Sequence, residues 1–74
     1  MVEIPNSSID RIIRKAGAQR VSKSAIAALR SELEDYGIEI SKLAIEIANY
    51  ADKKTIDGAD IALALRKRKF PELY

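Results

Sequence analysis

The stretch IAALRSELEDYGIEISKLAIEIANY, residues 26–50, decides the fold, because its large apolar residues recur at alternating steps of three and four. These residues are Ile26, Leu29, Leu33, Tyr36, Ile40, Leu43, Ile47 and Tyr50. Such spacing places a single apolar seam along an α-helix, as in a coiled coil. Gly37 interrupts the seam, but one glycine costs only about 1 kcal/mol relative to alanine. The periodicity therefore predicts one continuous helix over about residues 22–51.

The predicted helix is too long for one small domain to cover. At about 1.5 Å per residue it would measure roughly 45 Å, whereas a compact chain of this size has a radius of gyration of about 11 Å. Two short flanking helices cannot bury so long a seam, so a second long helix must. We therefore expect an obligate dimer. Its expected core residues are Ile26, Leu29, Leu33, Tyr36, Ile40 and Leu43.

A shorter amphipathic pattern precedes the long helix. Its apolar residues at helical spacing are Ile9, Ile12, Ile13 and Ala16. Pro5, Asn6 and two serines stand before it, and any of them can start a helix. Gly17 follows, where a left-handed C-cap is least costly. This pattern predicts a first helix over roughly residues 6–16, with Ser22 or Ser24 capping the long helix.

A third helix is expected after Asp57, which can cap it. Ile61, Ala64 and Leu65 share one face of this helix, while Leu63 points away from them and suggests a second contact surface. The basic run RKRK that follows suits a helix C-terminus, and the next proline stops the helix. No segment shows the alternation of a strand, so the expected fold is all-α.

Composition excludes several classes of function. The chain has no cysteine and no histidine, and it contains neither a nucleophile–base arrangement nor a glycine-rich phosphate loop. We therefore expect no enzyme, no cofactor and no metal site. The N-terminal MVEIPNSS does not resemble a signal peptide, and no apolar run reaches the roughly 20 residues that span a membrane. These features predict a soluble cytoplasmic protein with no membrane partner.

Charge is unevenly distributed along the chain. The net charge is +2, but residues 1–30 carry +4, residues 31–52 carry −5 and residues 53–74 carry +3. Positive ends around an acidic middle favour a surface that faces a polyanion, if folding brings the ends together. Solvated helix faces are the alternative interpretation.

The two short loops concentrate polar groups that bind phosphate. Loop 1 lies within KAGAQRVSKSA (15–25), and loop 2 within DKKTID (52–57). The basic side chains of both loops and the threonine hydroxyl of loop 2 lie next to helix N-termini, whose free backbone N–H groups can also bind phosphate. Two further cations lie three residues apart on the first helix. The candidates are Arg11, Arg14, Arg20, Lys53, Lys54 and Thr55.

The order short helix, long helix, short helix, with the segments IPNSSIDRIIRKAGAQRVS and DKKTIDGADIALALRKRK, resembles the archaeal histones over about residues 3–69. The resemblance implies a histone fold over residues 1–69, a short tail over 70–74, and an intertwined handshake homodimer. In that dimer, loop 1 of one subunit lies beside loop 2 of the other. It also implies that the chain binds double-stranded DNA in the nucleoid, and wraps and compacts it with little sequence specificity.

The resemblance further implies a role for each candidate. Arg20 would enter the DNA minor groove and Thr55 would hold it in place, while Arg11, Arg14 and Lys54 would lie near phosphates. Lys53 stands where the family usually has an arginine that pairs with the aspartate equivalent to Asp60. The full set of expected DNA-binding residues is Arg11, Arg14, Arg20, Ser22, Lys53, Lys54 and Thr55.

The resemblance also implies a joint between dimers at Ile47, Tyr50, Asp60 and Leu63. Tyr50 replaces the usual histidine there, so we expect a Tyr50–Asp60 hydrogen bond across the joint. Tetramers, longer polymers on DNA and pairing with other histone paralogues are left open. Two alternatives remain: a histone-fold interaction subunit of a transcription complex that pairs with another chain, and a helical dimer without a nucleic-acid role.

Overall fold

The computed structural model describes residues 4–73, which contain helices and no strand. The elements are α1 (Asn6–Lys15), α2 (Lys23–Tyr50), α3 (Gly58–Lys69) and a 3-10 turn, η1 (Pro71–Leu73). The all-α prediction is confirmed, and the first two predicted helices are correct to within one residue at each end. The chain divides into two compact units, the first ending at Tyr36 and the second beginning at Gly37.

The end of α1 is closed by a Schellman motif. Gly17 has a φ of 117°, a left-handed conformation that residues with a side chain rarely adopt. Its N–H donates to the Arg14 carbonyl at 2.9 Å, and the N–H of Ala18 donates to the Ile13 carbonyl at 3.5 Å. The predicted glycine cap is therefore confirmed. At the other end Pro5 precedes the helix, and no side chain caps it.

A serine hydroxyl starts α2. The Oγ of Ser22 accepts a hydrogen bond from the Ala25 N–H at 3.1 Å, so Ser22 rather than Ser24 is the cap. The helix then continues through Gly37 for 28 residues, a length of about 42 Å. The prediction of one uninterrupted long helix is confirmed.

The end of α2 repeats the Schellman motif with an aspartate in the left-handed position. Asp52 has a φ of 60°. Its N–H donates to the Asn49 carbonyl at 3.0 Å, and the N–H of Lys53 donates to the Ala48 carbonyl at 2.9 Å. These bonds satisfy carbonyls that the helix end leaves without partners. The chain therefore turns after α2 at an aspartate, a residue that adopts positive φ less readily than glycine.

In the first unit, α1 and the segment before it are tied to the N-terminal half of α2. Arg30 Nη1 donates to Asn6 Oδ1 at 2.6 Å, and the N–H of Ile4 donates to Glu34 Oε2 at 2.7 Å. Ile9, in the apolar stripe of α1, is fully buried. Of the other residues in the predicted stripe, Ile13 is half-buried, while Ile12 and Ala16 are exposed, so the chain by itself packs only part of the stripe.

In the second unit, α3 packs on the C-terminal half of α2. Ile40, Ala44 and Ala64 form the buried cluster, and the partly buried side chains against it are Leu43, Ile47 and Ile61. Leu65, which we expected on the packed face, is instead 40% exposed. The packed row of α3 runs through Asp60 and Ala64, four residues apart, and Leu65 is turned about 100° away from Ala64.

The chain by itself leaves more large apolar side chains exposed than it buries. The buried apolar residues among those described are Ile9, Ile40, Ala44, Ala48 and Ala64. The exposed large ones are Ile12, Tyr36, Ile38, Ile45, Tyr50, Ile56, Leu63, Leu65, Phe70 and Leu73. Of the six expected dimer-core residues, Ile40 is buried, Tyr36 is exposed and the other four are half-buried. Within residues 4–73, no helix is long and apolar enough to cross a membrane.

Candidate nucleic-acid interface

Loop 1, residues 16–22, is fixed on both sides of Arg20. Before it, Arg14 Nη1 donates to the Gln19 carbonyl at 3.0 Å. After it, Ser22 caps α2 through its hydroxyl. Arg20 itself is exposed, and it forms no ion pair with any residue from 4 to 73. The loop therefore presents one unneutralised guanidinium on a short, anchored backbone.

The two arginines of α1 differ in their surroundings. Arg11 is exposed and has no ion-pair partner within the described chain. Arg14 forms an ion pair with Asp10, with Nε and Oδ2 2.9 Å apart, in addition to its bond to loop 1. Both were expected to lie near phosphates. The geometry favours a phosphate contact for Arg11, whereas the guanidinium of Arg14 is already bonded to Asp10 and to the Gln19 carbonyl.

Loop 2, residues 51–57, is fixed to the start of α3 by a capping box. The N–H of Asp60 donates to Asp57 Oδ1 at 3.1 Å, and the N–H of Asp57 donates to Asp60 Oδ2 at 3.1 Å. The expected cap at Asp57 is confirmed. Lys53 reinforces the box, since its Nζ lies 3.1 Å from Asp60 Oδ1, 2.9 Å from Asp60 Oδ2 and 3.4 Å from Asp57 Oδ2.

These contacts shift the acidity of both partners. The hydrogen bond from Lys53, followed by the backbone N–H of Asp57, holds the pKa of the Asp60 carboxyl below its ordinary value. The same hydrogen bond to Asp60 raises the pKa of Lys53, against the opposing effect of burial. The Lys53 charge is thus neutralised within its own chain. Its expected contact with DNA remains a prediction that this geometry does not favour.

Two polar side chains of loop 2 point to solvent. Lys54 and Thr55 are exposed, and neither has a hydrogen-bond or ion-pair partner among residues 4–73. Each loop thus combines an anchored backbone with a cation that no carboxylate of the described chain neutralises, Arg20 in one and Lys54 in the other. Such cations are suited to a strongly anionic polymer.

A second candidate surface lies in the unit that begins at Gly37. One groove is lined by Glu46, Ile47, Tyr50, Leu63 and Lys67. Three of the four residues expected at the joint between dimers therefore lie together. The fourth, Asp60, is only 5% exposed, and both of its oxygens already accept hydrogen bonds from loop 2. This placement disfavours the expected Tyr50–Asp60 bond. Three of the groove's lining residues, Ile47, Tyr50 and Leu63, are apolar or aromatic.

Sequence reasoning missed three features of these surfaces. The bond from Arg14 to loop 1 was not foreseen. Only the ion pair of Arg14 with Asp10 had a signal, which is their spacing at i and i+4. The two oppositely charged residues that line the groove, Glu46 and Lys67, were also missed. The positive φ of Asp52 had no signal, because only the glycine at the end of α1 marked such a position.

Comparison with known proteins identifies similar chains. The family described as “Histone-like transcription factor (CBF/NF-Y) and archaeal histone” matches residues 2–65. The archaeal histone HAN1 of Thermococcus zilligii is 50% identical over 66 residues, which cover 89% of this chain and 98% of that protein. The probable archaeal histone 3 of Methanocaldococcus jannaschii is 39% identical over 66 residues, with the same two shares covered.

Proposed function

The chain belongs to the histone-like transcription factor (CBF/NF-Y) and archaeal histone family, and on that basis we propose that it is a DNA-binding chromatin histone. It acts as a homodimer that wraps and compacts chromosomal DNA with little sequence specificity, in association with the nucleoid. The proposed histone-fold domain covers residues 1–69, and residues 70–74 form a short tail. The observation that carries the DNA-binding proposal is the pair of anchored loops, each presenting a cation without a carboxylate partner in the described chain.

The apolar surface of the chain supports the homodimer. Tyr36, in the seam of α2, is 44% exposed, and Ile38 and Ile45, off the seam, are 48% and 46% exposed. At 100° per residue, Ile38 and Ile45 are turned roughly 100–160° away from Ile40 and Ala44. Burying such side chains contributes about 1.5–3 kcal/mol each. A second copy of α2, crossing the first as in a handshake, supplies the apolar surface that α3 does not provide.

The proposed binding mechanism uses the dimer to combine the loops. Loop 1 of one subunit lies beside loop 2 of the other, so that Arg20 enters an inward-facing minor groove and the partner's Thr55 orients it. Arg11 and Lys54 contact the flanking phosphates. Histone octamers wrap DNA in this way, by inserting arginines into the minor groove and contacting the backbone without base-specific bonds. Affinity then depends on salt and on DNA shape more than on base sequence.

The groove of the second unit supports further assembly. Ile47, Tyr50 and Leu63 give it an apolar or aromatic lining, and Glu46 and Lys67 line it with opposite charges. A two-fold symmetric contact forms each of its pairs twice, so an arrangement that brings Glu46 to Lys67 of the other dimer gains two such ion pairs. We therefore place the joint between dimers here, with tetramers or longer polymers forming along DNA.

The alternative of a transcription-complex subunit is not favoured. A chain that only pairs with another protein has no need for unneutralised cations on both loops, whereas a DNA-wrapping protein does. Both similar proteins are also described as archaeal histones.

The test is a gel shift with two unrelated DNA duplexes, each at a low and a higher salt concentration. We expect similar affinities for the two duplexes and a comparable loss of affinity for both at the higher salt concentration. Nuclease digestion of the bound DNA then measures the protected length. The proposal fails if neither duplex is bound at low salt, or if only one of them is bound.

A further inference from the structure

Arg14 uses its guanidinium to connect α1 with loop 1. Nε donates to Asp10 Oδ2 at 2.9 Å, one turn earlier on the same helix. Nη1 donates to the carbonyl of Gln19 at 3.0 Å. Because the guanidinium is planar, holding Nε at Asp10 fixes the direction in which Nη1 points. The carbonyl that it reaches belongs to the residue immediately before Arg20.

This contact completes the anchoring of loop 1. The Schellman bonds fix the backbone as far as Ala18, and Arg14 fixes it at Gln19. The hydroxyl cap fixes Ser22. Between the last two anchors lie only Arg20 and Val21. The backbone that carries Arg20 therefore has little freedom left, and Arg14 supplies the anchor closest to it.

We propose that Arg14 is a positioning residue, which promotes DNA binding by holding the backbone of loop 1 so that Arg20 is directed outward before DNA arrives. This inference rests on the proposed DNA-binding function. A loop that is already ordered loses less conformational entropy on binding than a mobile one. Asp10 contributes to the same positioning, because it accepts a hydrogen bond from Nε and so orients the Arg14 side chain. An acidic residue thereby increases affinity for an anionic polymer.

The rival explanation is that Arg14 contacts a phosphate directly, and conservative substitution separates the two. A lysine keeps the charge but its single ammonium has no planar fork with which to reach Asp10 and Gln19 together. We expect Arg14→Lys and Arg14→Ala to weaken binding by a similar factor, about two- to tenfold for one lost hydrogen bond. Arg14→Lys should also leave the salt dependence unchanged. A direct phosphate contact predicts instead that Arg14→Lys binds nearly as well as the unchanged chain.

Replacing Asp10 gives a second test, because simple electrostatics and the positioning role predict opposite changes in affinity for DNA. Asp10→Ala makes the protein more positive, so simple electrostatics predicts tighter binding. The positioning role predicts weaker binding, because Arg14 loses its orienting partner. Asp35→Ala is the matched control, since Asp35 is exposed and has no ion pair within residues 4–73. It removes the same charge and should bind slightly more tightly.

The experiment measures affinity for one duplex at several salt concentrations for the unchanged chain and the four variants. Circular dichroism confirms that each variant is folded, and hydrogen exchange reports the protection of the loop 1 amides. Faster exchange in loop 1 with weaker binding in both Arg14→Lys and Asp10→Ala supports the inference. Tighter binding by Asp10→Ala, or full binding by Arg14→Lys, overturns it. Failure of the unchanged chain to bind DNA would instead overturn the proposed function.

Discussion

The ammonium of Lys53 contacts both carboxylate oxygens of Asp60, at 3.1 Å and 2.9 Å, and so ties loop 2 to the first turn of α3. Asp60 is almost completely buried, and the same carboxylate also closes the capping box of α3. Breaking such a pair leaves a buried charge without its counterion, which is more harmful than losing an exposed pair. Because the pKa of Asp60 is lowered and that of Lys53 is raised, both groups of this pair stay charged from mildly acidic to mildly basic pH, and loop 2 stays tied to α3 over that range.

Replacing Lys53 should change stability in a pH-dependent way. The pKa of Asp60 is lowered by this pair, so its contribution is present above the ordinary carboxyl pKa of about 3.9 and is lost as pH falls through the lowered value. The pKa of Lys53 is raised, so its contribution is present below about pH 10.4 and is lost as pH rises through the raised value. Lys53→Met should thus lower the thermal midpoint by a constant amount at intermediate pH.

This prediction is checked by thermal unfolding of the unchanged chain and of Lys53→Met from strongly acidic to strongly basic pH. The difference between their midpoints should shrink at both extremes. Lys54→Met is the control, because it removes the same charge without breaking an ion pair of the described chain, and its midpoint difference should be small and flat. A Lys53→Met difference that persists at the acidic extreme would contradict the assignment.

Folding and dimerisation should be a single event. The described chain buries few large apolar side chains of its own, so the proposed partner supplies much of the core, and the thermal midpoint should rise with protein concentration. Calorimetry over a hundredfold range of concentration, with mass from light scattering, measures both quantities. A concentration-independent midpoint together with a monomeric mass would rule out the handshake dimer.

Arg20→Ala should weaken DNA binding while leaving helicity and the thermal midpoint nearly unchanged, because an exposed loop arginine supports little of the core. The loss should be similar for unrelated duplexes and smaller at high salt. Thr55→Val tests the orienting hydroxyl with almost the same side-chain shape. Gel shifts on two duplexes provide the measurement. A loss confined to one of them would indicate direct base readout instead.

Leu63→Glu should shorten the DNA protected by the bound protein to the footprint of a single dimer. The substitution places a carboxylate in the groove that contains Ile47 and Tyr50, where desolvation of a charge opposes association. Dimer stability should change little, because Leu63 is already partly exposed. Nuclease ladders provide the measurement. Leu73→Glu adds the same charge outside the groove and should keep the long ladder, and an unchanged ladder for Leu63→Glu would move the joint elsewhere.

Asp52→Gly should stabilise the fold by up to about 1 kcal/mol, because glycine adopts positive φ without a steric penalty. Asp52 is left-handed, with a φ of 60°, and its charge lies at the negative end of α2, where an anion is unfavourable. Asp52→Asn should give a smaller gain, and Asp52→Ala should give none. Chemical denaturation ranks the three variants. The interpretation fails if alanine equals or exceeds glycine.

The helices were predictable because their signals are local. The continuous helix α2, the glycine after α1 and the aspartate before α3 each depend on neighbouring residues, and each was confirmed. Burial of the α2 seam by a partner stays a prediction. The packed face of α3 was less predictable, because Leu65 and Ala64 are both apolar and only their angle to α2 decides which is covered. The apolar lining of the groove was partly foreseen, since Leu63 was expected to face away from the core.

The roles of the cations were harder to predict, because a sequence does not show which ones are already paired. Arg14 and Lys54 were expected near phosphates and Arg20 in the minor groove, while Lys53 was expected to bind DNA from a position where the family's arginine pairs with the equivalent of Asp60. The structure separates them by their partners, since Arg14 and Lys53 bond to their own chain. The resemblance indicated Asp60 as the partner of the residue at position 53. The bond from Arg14 to the Gln19 carbonyl depends on how loop 1 folds back on α1, which no periodicity encodes.

The small buried core has a consequence for how the protein responds to its own abundance. If the chain is stable only when paired, then at low concentration the amount of folded protein grows with the square of the amount synthesised, and halving the supply of chain lowers it about fourfold. The unpaired remainder is unfolded and open to proteases. The amount of DNA wrapped would then change by a larger factor than the amount of chain synthesised. A modest change in expression would therefore produce a large change in DNA wrapping.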